Sequence, residues 1–251
     1  MVSGAQLAGR FAEQGPLLTL AERASNDREW AYAHVVVDEA QELSAMAWRA
    51  IARRCPSRSM TVVGDLAQTS SSAGAHSWRD ALEEVSRGVW RVEELTINYR
   101  TPARIAALAD RVLAAMDRDV TPPRAVRDGD HDPGDHLVPD VVPAVVALAA
   151  ELSAVPGRSV VVADAPRCPD LAAALVAGGV DAGLGPHGLD VAVAVMGPTE
   201  VKGLEFDNVV LVEPAEIRAA STGLADLYVA LTRATSRLEI VRSGDLPPEM
   251  A

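Results

Sequence analysis

Five short segments carry side chains suited to phosphate chemistry. In Val35-Val36-Val37-Asp38-Glu39-Ala40-Gln41 a β-branched run ends in two adjacent carboxylates. A buried parallel strand of that kind delivers both acids to the C-terminal edge of its sheet, where α/β proteins bind ligands. Asp38 can hold Mg²⁺ there through water, because hard oxygen ligands suit that ion. Glu39 can then orient and deprotonate a water attacking a γ-phosphate. The plain structural alternative is a pair of acids that caps a helix. In Val62-Val63-Gly64-Asp65-Leu66-Ala67-Gln68 a second strand ends at the same edge. Gln68 can reach the same phosphate or water, although Gly-Asp after a strand also serves simply to turn the chain.

Asn98-Tyr99-Arg100-Thr101-Pro102 sets an arginine beside an aromatic where two lobes would meet. Such an arginine can neutralise transition-state charge, and the aromatic can stack on a base. The alternative is a surface arginine ahead of a helix opened by proline. Lys202-Gly203-Leu204-Glu205-Phe206-Asp207 holds the only lysine of the chain, every other basic side chain apart from histidine being arginine. A lone lysine in a glycine-containing turn points to a specific role, with chance placement as the alternative. Tyr228-Val229-Ala230-Leu231-Thr232-Arg233-Ala234 reads as a helix presenting Thr232 and Arg233 on adjoining faces, where an arginine is ordinarily a solvated surface group.

The elements that must position these groups alternate along the chain. A helix is predicted over Gly4–Ala24, a strand over His34–Val37, a helix over Ala45–Arg54 capped by Ser44, and a strand over Met60–Val63. A helix around Trp78–Val85, a strand-like Trp90–Leu95 and a helix over Pro102–Ala115 follow, with proline in the first turn. Thr121–Pro139, rich in Pro, Asp, Gly and His, is predicted to be a loop or linker. Helices at Val141–Leu152, Leu171–Ala177 and Leu224–Leu231 then alternate with strands at Ser159–Ala163, Val191–Met196, Asn208–Val212 and Arg237–Val241. That alternation predicts an α/β fold with parallel sheets. The expected organisation is two lobes, 1–98 and 99–251, with a flexible linker at 121–140 inside the second.

Composition narrows the function. Apolar residues are 49% of the 251, enough to exclude a mostly disordered chain, and aromatics only 4%, so Ala, Val and Leu must build the core. The net charge of −12 argues against strong autonomous nucleic-acid binding, which rests on a basic face. It suits solubility first and docking on a basic protein surface second. Cys55 and Cys168 form neither a disulfide framework nor a metal cluster and read as core filling in a reducing compartment. No apolar run approaches the roughly 20 residues of a membrane span. Met1-Val2-Ser3-Gly4 does not open a signal peptide, so the cytoplasm is the expected location.

Taken in order, Asp-Glu-Ala-Gln, Gly-Asp-x-x-Gln, Asn-Tyr-Arg, Lys-Gly-Leu-Glu-Phe and Val-x-x-Thr-Arg-Ala resemble motifs II to VI of the UvrD/Rep-type superfamily 1 helicases, over roughly Ala33 to Val241. The resemblance implies two RecA-like lobes with ATP between them. By it, Asp38 is the Mg²⁺ ligand of a Walker B element, Glu39 the catalytic base and Gln68 the γ-phosphate sensor. Tyr99 stacks on adenine, Arg100 and Arg233 are arginine fingers, Glu205 binds the ribose, and Gln41 couples nucleotide to motion. Lys202, Gly203 and Thr232 belong to the nucleotide-facing motifs V and VI. Closure on ATP and reopening would move the lobes along a single strand of nucleic acid.

Three departures qualify that expectation. No G-x-x-x-x-G-K-[ST] occurs, so the loop that grips the β- and γ-phosphates is absent from these residues. The chain is therefore expected to start downstream of that loop, as a C-terminal portion of a helicase whose first lobe lacks the phosphate-loop strand. It is expected to be unstable in its first hundred residues and unable to hydrolyse ATP alone. Gly197 and Thr199 stand where UvrD-type proteins have Thr and His on the nucleic-acid track. Between Arg100 and Met196 there is no room for the large inserted subdomain of UvrD, and this compactness resembles the HelD-like branch that acts on RNA polymerase. A non-catalytic remnant used as a protein-binding module is the competing reading. An unrelated Mg²⁺-dependent phosphohydrolase would explain the acid pair but not the arginines.

Overall fold

The computed structural model describes residues 31–69, 71, 73–86, 88–116 and 120–251. The helix expected over Gly4–Ala24 lies outside them. The valine run does form a strand, β1 (Val35–Val37), which pairs in parallel with β2 (Met60–Val62), Val36 opposite Thr61. Between them a 3-10 turn (Ala40–Glu42) leads into α1 (Ala45–Arg54). Ser44 caps α1 by accepting from the Ala47 amide, and Arg53 and Arg54 complement its carbonyl end. A second helix, α2 (Trp78–Ser86), packs on α1. Val37, Ala40, Trp48, Ala52, Leu82 and Val85 make the small core of this first lobe. Among the described residues nothing covers the other face of its sheet, where Val36 is 67% exposed and Val63 is exposed beside it.

Trp90–Leu95 is not a strand. Val89, Val92 and Leu95 are exposed, and pairing begins only at β3 (Ile97–Asn98), which runs parallel to β4 (Arg124–Ala125). Strand propensity expresses fit to a packed, half-buried surface, and among the described residues none covers this stretch. Helix α3 (Ala103–Ala114) follows, with Pro102 as its N-cap residue rather than in its first turn.

The second lobe is a six-stranded, wholly parallel sheet in the order β5-β10-β9-β6-β8-β7. Its strands are β5 (Gly134–Leu137), β6 (Ser159–Val162), β7 (Ala182–Leu184), β8 (Val193–Met196), β9 (Phe206–Val212) and β10 (Ala234–Arg242). Helices α4 (Val141–Ser153) and α5 (Cys168–Ala177) cover one face. The other is covered by α3 with α6 (Pro214–Ala219) and α7 (Gly223–Thr232). Both strands β6 and β8 are buried at every position, as continuous apolar runs in a covered parallel sheet should be. The predicted loop at 121–139 is corrected: it carries β4 and β5. Polar β5 is tolerated because it is an edge, anchored through Asp135 to Arg242 and through His136 to Glu239. Cys55 and Cys168 are both buried and unpaired, and burial pushes the Cys168 thiol up to about 11. Among the described residues no helix is long and apolar enough to cross a membrane.

Candidate functional site

Because β1 and β2 are parallel, Asp38-Glu39 and Gly64-Asp65 leave the first sheet at one edge. Glu39 turns the chain sharply, with φ 49° and ψ 37° in the left-handed region that side chains seldom adopt. The Asp38 Oδ1 accepts from the Glu39 amide at 2.9 Å, while the acid itself stays exposed. Gln41, wholly buried, donates from Nε2 to Glu39 Oε2 at 2.6 Å and accepts at Oε1 from the Asp65 amide at 3.1 Å. One amide side chain thus staples the two strand ends together. Gly64 permits this, since a Cβ there would lie 2.4 Å from Gln41 Oε1. Asp65 continues the chain of contacts. Its Oδ1 accepts from the Ala67 amide and its Oδ2 from Gln68 Nε2, each at 2.9 Å.

The second lobe answers with cations at the N-terminal ends of β9 and β10. Asn98 Oδ1 accepts from the amides of Arg100 (3.0 Å) and Thr101 (3.1 Å), a tight turn that fixes the Arg100 backbone. Arg100 pairs with Glu205 at 2.6 Å, and Arg127 donates to the carbonyls of Arg100 and Thr235. Arg233 ends α7 and is only 4% exposed. It donates from Nε to the Val229 carbonyl (3.2 Å), satisfying a helix-terminal acceptor, and from Nη1 to the Leu204 carbonyl (3.1 Å). From Nη2 it donates to Thr232 Oγ1 (3.1 Å) and, across the lobes, to Gln68 Oε1 (3.2 Å). Every one of these acceptors is neutral. Burial, and next the nearby Arg100 charge, lower the proton affinity of Arg233, with Glu39 and Glu205 acting the other way. A guanidinium starts so high that it remains a cation, desolvated and without a carboxylate hydrogen-bonded to it.

Lys202 also crosses between lobes, its Nζ donating to the Glu42 carboxylate and to the Gln68 carbonyl. Gly203, at φ 73°, needs the freedom of glycine, and a Cβ on it would lie 3.9 Å from Glu39 Oε1. Helix α7 packs on the 3-10 turn Leu66–Gln68, closing the contact. The structure therefore gathers Glu39, Gln41, Gln68, Arg100, Lys202, Gly203, Glu205, Thr232 and Arg233 along one interlobe seam. Tyr99, 78% exposed, and the outward Asp38 stand beside that seam without joining its contacts. Among the described residues no cluster of three or more His, Cys, Asp or Glu is arranged to hold a metal ion.

Sequence reading missed three contributors. Asp65 has the sequence context of a turn residue, but it relays Gln41 to Gln68. Glu42, one residue past Gln41, receives Lys202. Arg127 sits in the stretch taken for a linker, and nothing in its neighbours marks it.

Residues 180–242, the span that holds Lys202, Gly203, Glu205, Thr232 and Arg233, match the family model described as viral superfamily 1 RNA helicase core domain. No curated protein matches the chain. Among solved structures, the chain is similar to the C-terminal domain of a possible DNA helicase from Lactobacillus plantarum WCFS1, at 24% identity and a TM-score of 0.49, over 61% of this chain and 92% of that one. It is also similar to arterivirus nonstructural protein 10, a helicase, at 19% identity and a TM-score of 0.45, covering 82% of this chain. For the complex of that helicase with DNA the figures are 18%, 0.44 and 84%. The chain spans 38% and 40% of the two arterivirus chains. The matched segment lies within the second lobe, whose six-stranded parallel sheet is of α/β type.

Proposed function

We propose that the interlobe seam is the nucleotide site of an ATP-dependent, UvrD/Rep-type motor. The chain would supply motifs II to VI, with its lobes dividing near residue 98. The observation that carries this reading is Arg233, a buried guanidinium whose hydrogen-bond acceptors are all neutral and which reaches Gln68 on the opposite lobe. A desolvated cation kept without an acid of its own suits a site built to receive an anion. The residues fit MgATP: Arg233 and Arg100 would face the phosphates, Asp38 would hold the ion through water, and Glu205 and Tyr99 would hold the nucleoside. Bound MgATP would supply the reactive γ-phosphoryl group. Glu39, stapled by Gln41, would hold the proton of the attacking water, and Gln68 would orient that water. A net charge of −12, together with Gly197 and Thr199 in place of the usual Thr and His, favours the HelD-like action on RNA polymerase over processive travel on single-stranded nucleic acid.

These 251 residues contain no phosphate loop, so the chain alone should bind MgATP weakly and turn it over no faster than its Glu39→Gln variant, with or without single-stranded DNA. Millimolar MgATP should nevertheless shift the Nε resonances of Arg233 and Arg100 in a nitrogen–proton spectrum. Turnover clearly above the Glu39→Gln control would overturn the need for the missing loop. Unshifted arginine resonances would overturn the nucleotide site itself.

A further inference from the structure

The first lobe has a cleft between α1 and α2, walled by Leu43, Trp48, Ala75, Ala81 and Val85, with a volume of about 210 Å³. An apolar cavity of about 150 Å³ is already enough for a benzene-sized guest. Trp48 is 2% exposed, and its indole Nε1 is buried without a hydrogen-bond partner. The rim is polar, because His76 and Asp80 line the cleft from exposed positions. Among the lining residues Asp80 alone carries a carboxylate, and none is a lysine or arginine. Ala75 ties the cleft to the interlobe seam: its amide donates to the Gln41 carbonyl at 2.7 Å. Gly74 before it packs so closely that a Cβ would lie 2.6 Å from that oxygen. Gln41 in turn holds Glu39.

We infer that this cleft is a docking site for a cationic segment of a partner protein, which seats one bulky apolar side chain between α1 and α2 and sets a lysine or arginine over Asp80. Size and charge argue for this occupant. Apolar walls that face a gap forfeit dispersion contacts, and an aromatic or leucine side chain of the partner restores them. Such an anchor binds through its desolvated centre, while charge at the rim selects the partner and speeds its arrival. A second copy of this chain would bring a net charge of −12 to a rim that is itself acidic, which opposes self-docking. A basic partner is drawn in by the same field. The seated side chain would touch the turn that carries Gly74 and Ala75, so Gln41 would sense it across one hydrogen bond. The docking site stands independently of the nucleotide reading.

The test titrates the isotope-labelled full chain with acetyl-Lys-Phe-Lys-amide and follows its nitrogen–proton spectrum. At millimolar peptide the Trp48 indole and Gln41 side-chain amide resonances should shift together. Acetyl-Lys-Ala-Lys-amide, which lacks the anchor, should bind about tenfold more weakly, and acetyl-Glu-Phe-Glu-amide several-fold more weakly. Asp80→Asn should weaken the lysine peptide about threefold, the scale of an exposed ion pair, and flatten its salt dependence. Ala45→Trp, at an exposed lining position, should obstruct the cleft and abolish both shifts. If that variant fails to fold, the Asp80→Asn arm decides alone. A Trp48 resonance that stays fixed, or moves equally with the alanine peptide, overturns the docking site. So does phenethylammonium binding as tightly as the peptide, which would make the guest a small amine. Movement on raising the protein concentration alone would make the guest a second copy and overturn the basic partner. Each of these outcomes leaves the arginine resonance experiment free to succeed.

Discussion

The two lobes meet along one seam but are built very differently. The second has six parallel strands with helices on both faces, and its central strands are buried at every position. Among the described residues the first has two strands of three residues, helices against one face only, and Val36 67% exposed on the other. Yet Asp38, Glu39, Gln41 and Gln68 all stand on the weaker platform. Its side chains are held by polar stapling, from Glu39 through Gln41 and Asp65 to Gln68, and from the second lobe by Arg233 on Gln68 and Lys202 on Glu42. The well-packed lobe thus sets cations on a rigid frame, and the poorly covered lobe carries groups whose geometry depends on being clasped. In the proposed motor, that inequality would place the low-stability element where movement has to occur.

The sharpest way to break this contrast is amide exchange. Backbone amides of Val160–Val162 and Val209–Val212, buried in a covered sheet, should open only with global unfolding. Those of Val35–Val37 and Met60–Val62 should exchange through local opening, faster by about a thousandfold. Uniformly slow exchange through both sets would mean that the first lobe is as well supported as the second, and the clasp would lose its purpose.

Legibility followed the same divide. Strands Val35–Val37, Ser159–Val162 and Val193–Met196 could be found because short valine-rich runs bounded by turn residues have few other places to go. Ser44 at the head of α1 was equally plain, since its hydroxyl has one obvious use. Edges were not. Gly134–Leu137 and Ala182–Leu184 have no strand pattern of their own; their partners β10 and β8 make them strands. Trp90–Leu95 has the pattern but nothing among the described residues covers it. In the site, groups that touch a ligand in the implied family were marked by type and spacing. Groups that position them, Glu42, Asp65 and Arg127, were not, because contacts between residues far apart in the chain leave no local trace.

The same device occurs in both lobes and allows a smaller, cleaner test. Ser44 caps α1 by accepting from the Ala47 amide at 3.2 Å, and Asp140 caps α4 by accepting from the Val142 amide at 3.1 Å. Replacing either by alanine removes about 1 kcal/mol. Asp140→Ala should appear in full as a lowered main melting transition. Ser44→Ala should leave that transition in place and instead speed exchange of the α1 amides by about fivefold to tenfold. Equal shifts of the main transition would show that the two lobes unfold as one unit.

The smallest expected effect comes from acid at two aspartates of the second lobe, one at its edge and one near the seam. Asp135 on β5 accepts from Arg242 through both oxygens, at 2.7 and 2.9 Å, and these hydrogen bonds hold its carboxyl below the usual range. Burial moves Asp226 in the opposite direction. For Asp135 the folded form binds its proton more weakly than the unfolded chain. Its contribution is therefore complete above the unfolded value of about 3.9 and disappears as pH falls through the lower folded value. For Asp226 the folded form holds the proton more tightly, so its ionisation opposes folding above the folded value, and that penalty fades on acidification toward about 3.9. Asp135→Asn should thus lower stability at neutral pH by only a few tenths of a kcal/mol, because the pair is partly solvated. The difference from wild type should hold steady down to about pH 4 and then close as the wild-type carboxyl protonates. A gap that instead widened below pH 4 would mean that the β5 edge is anchored by something other than this ion pair, and that the edge of the well-built lobe is less secure than its interior.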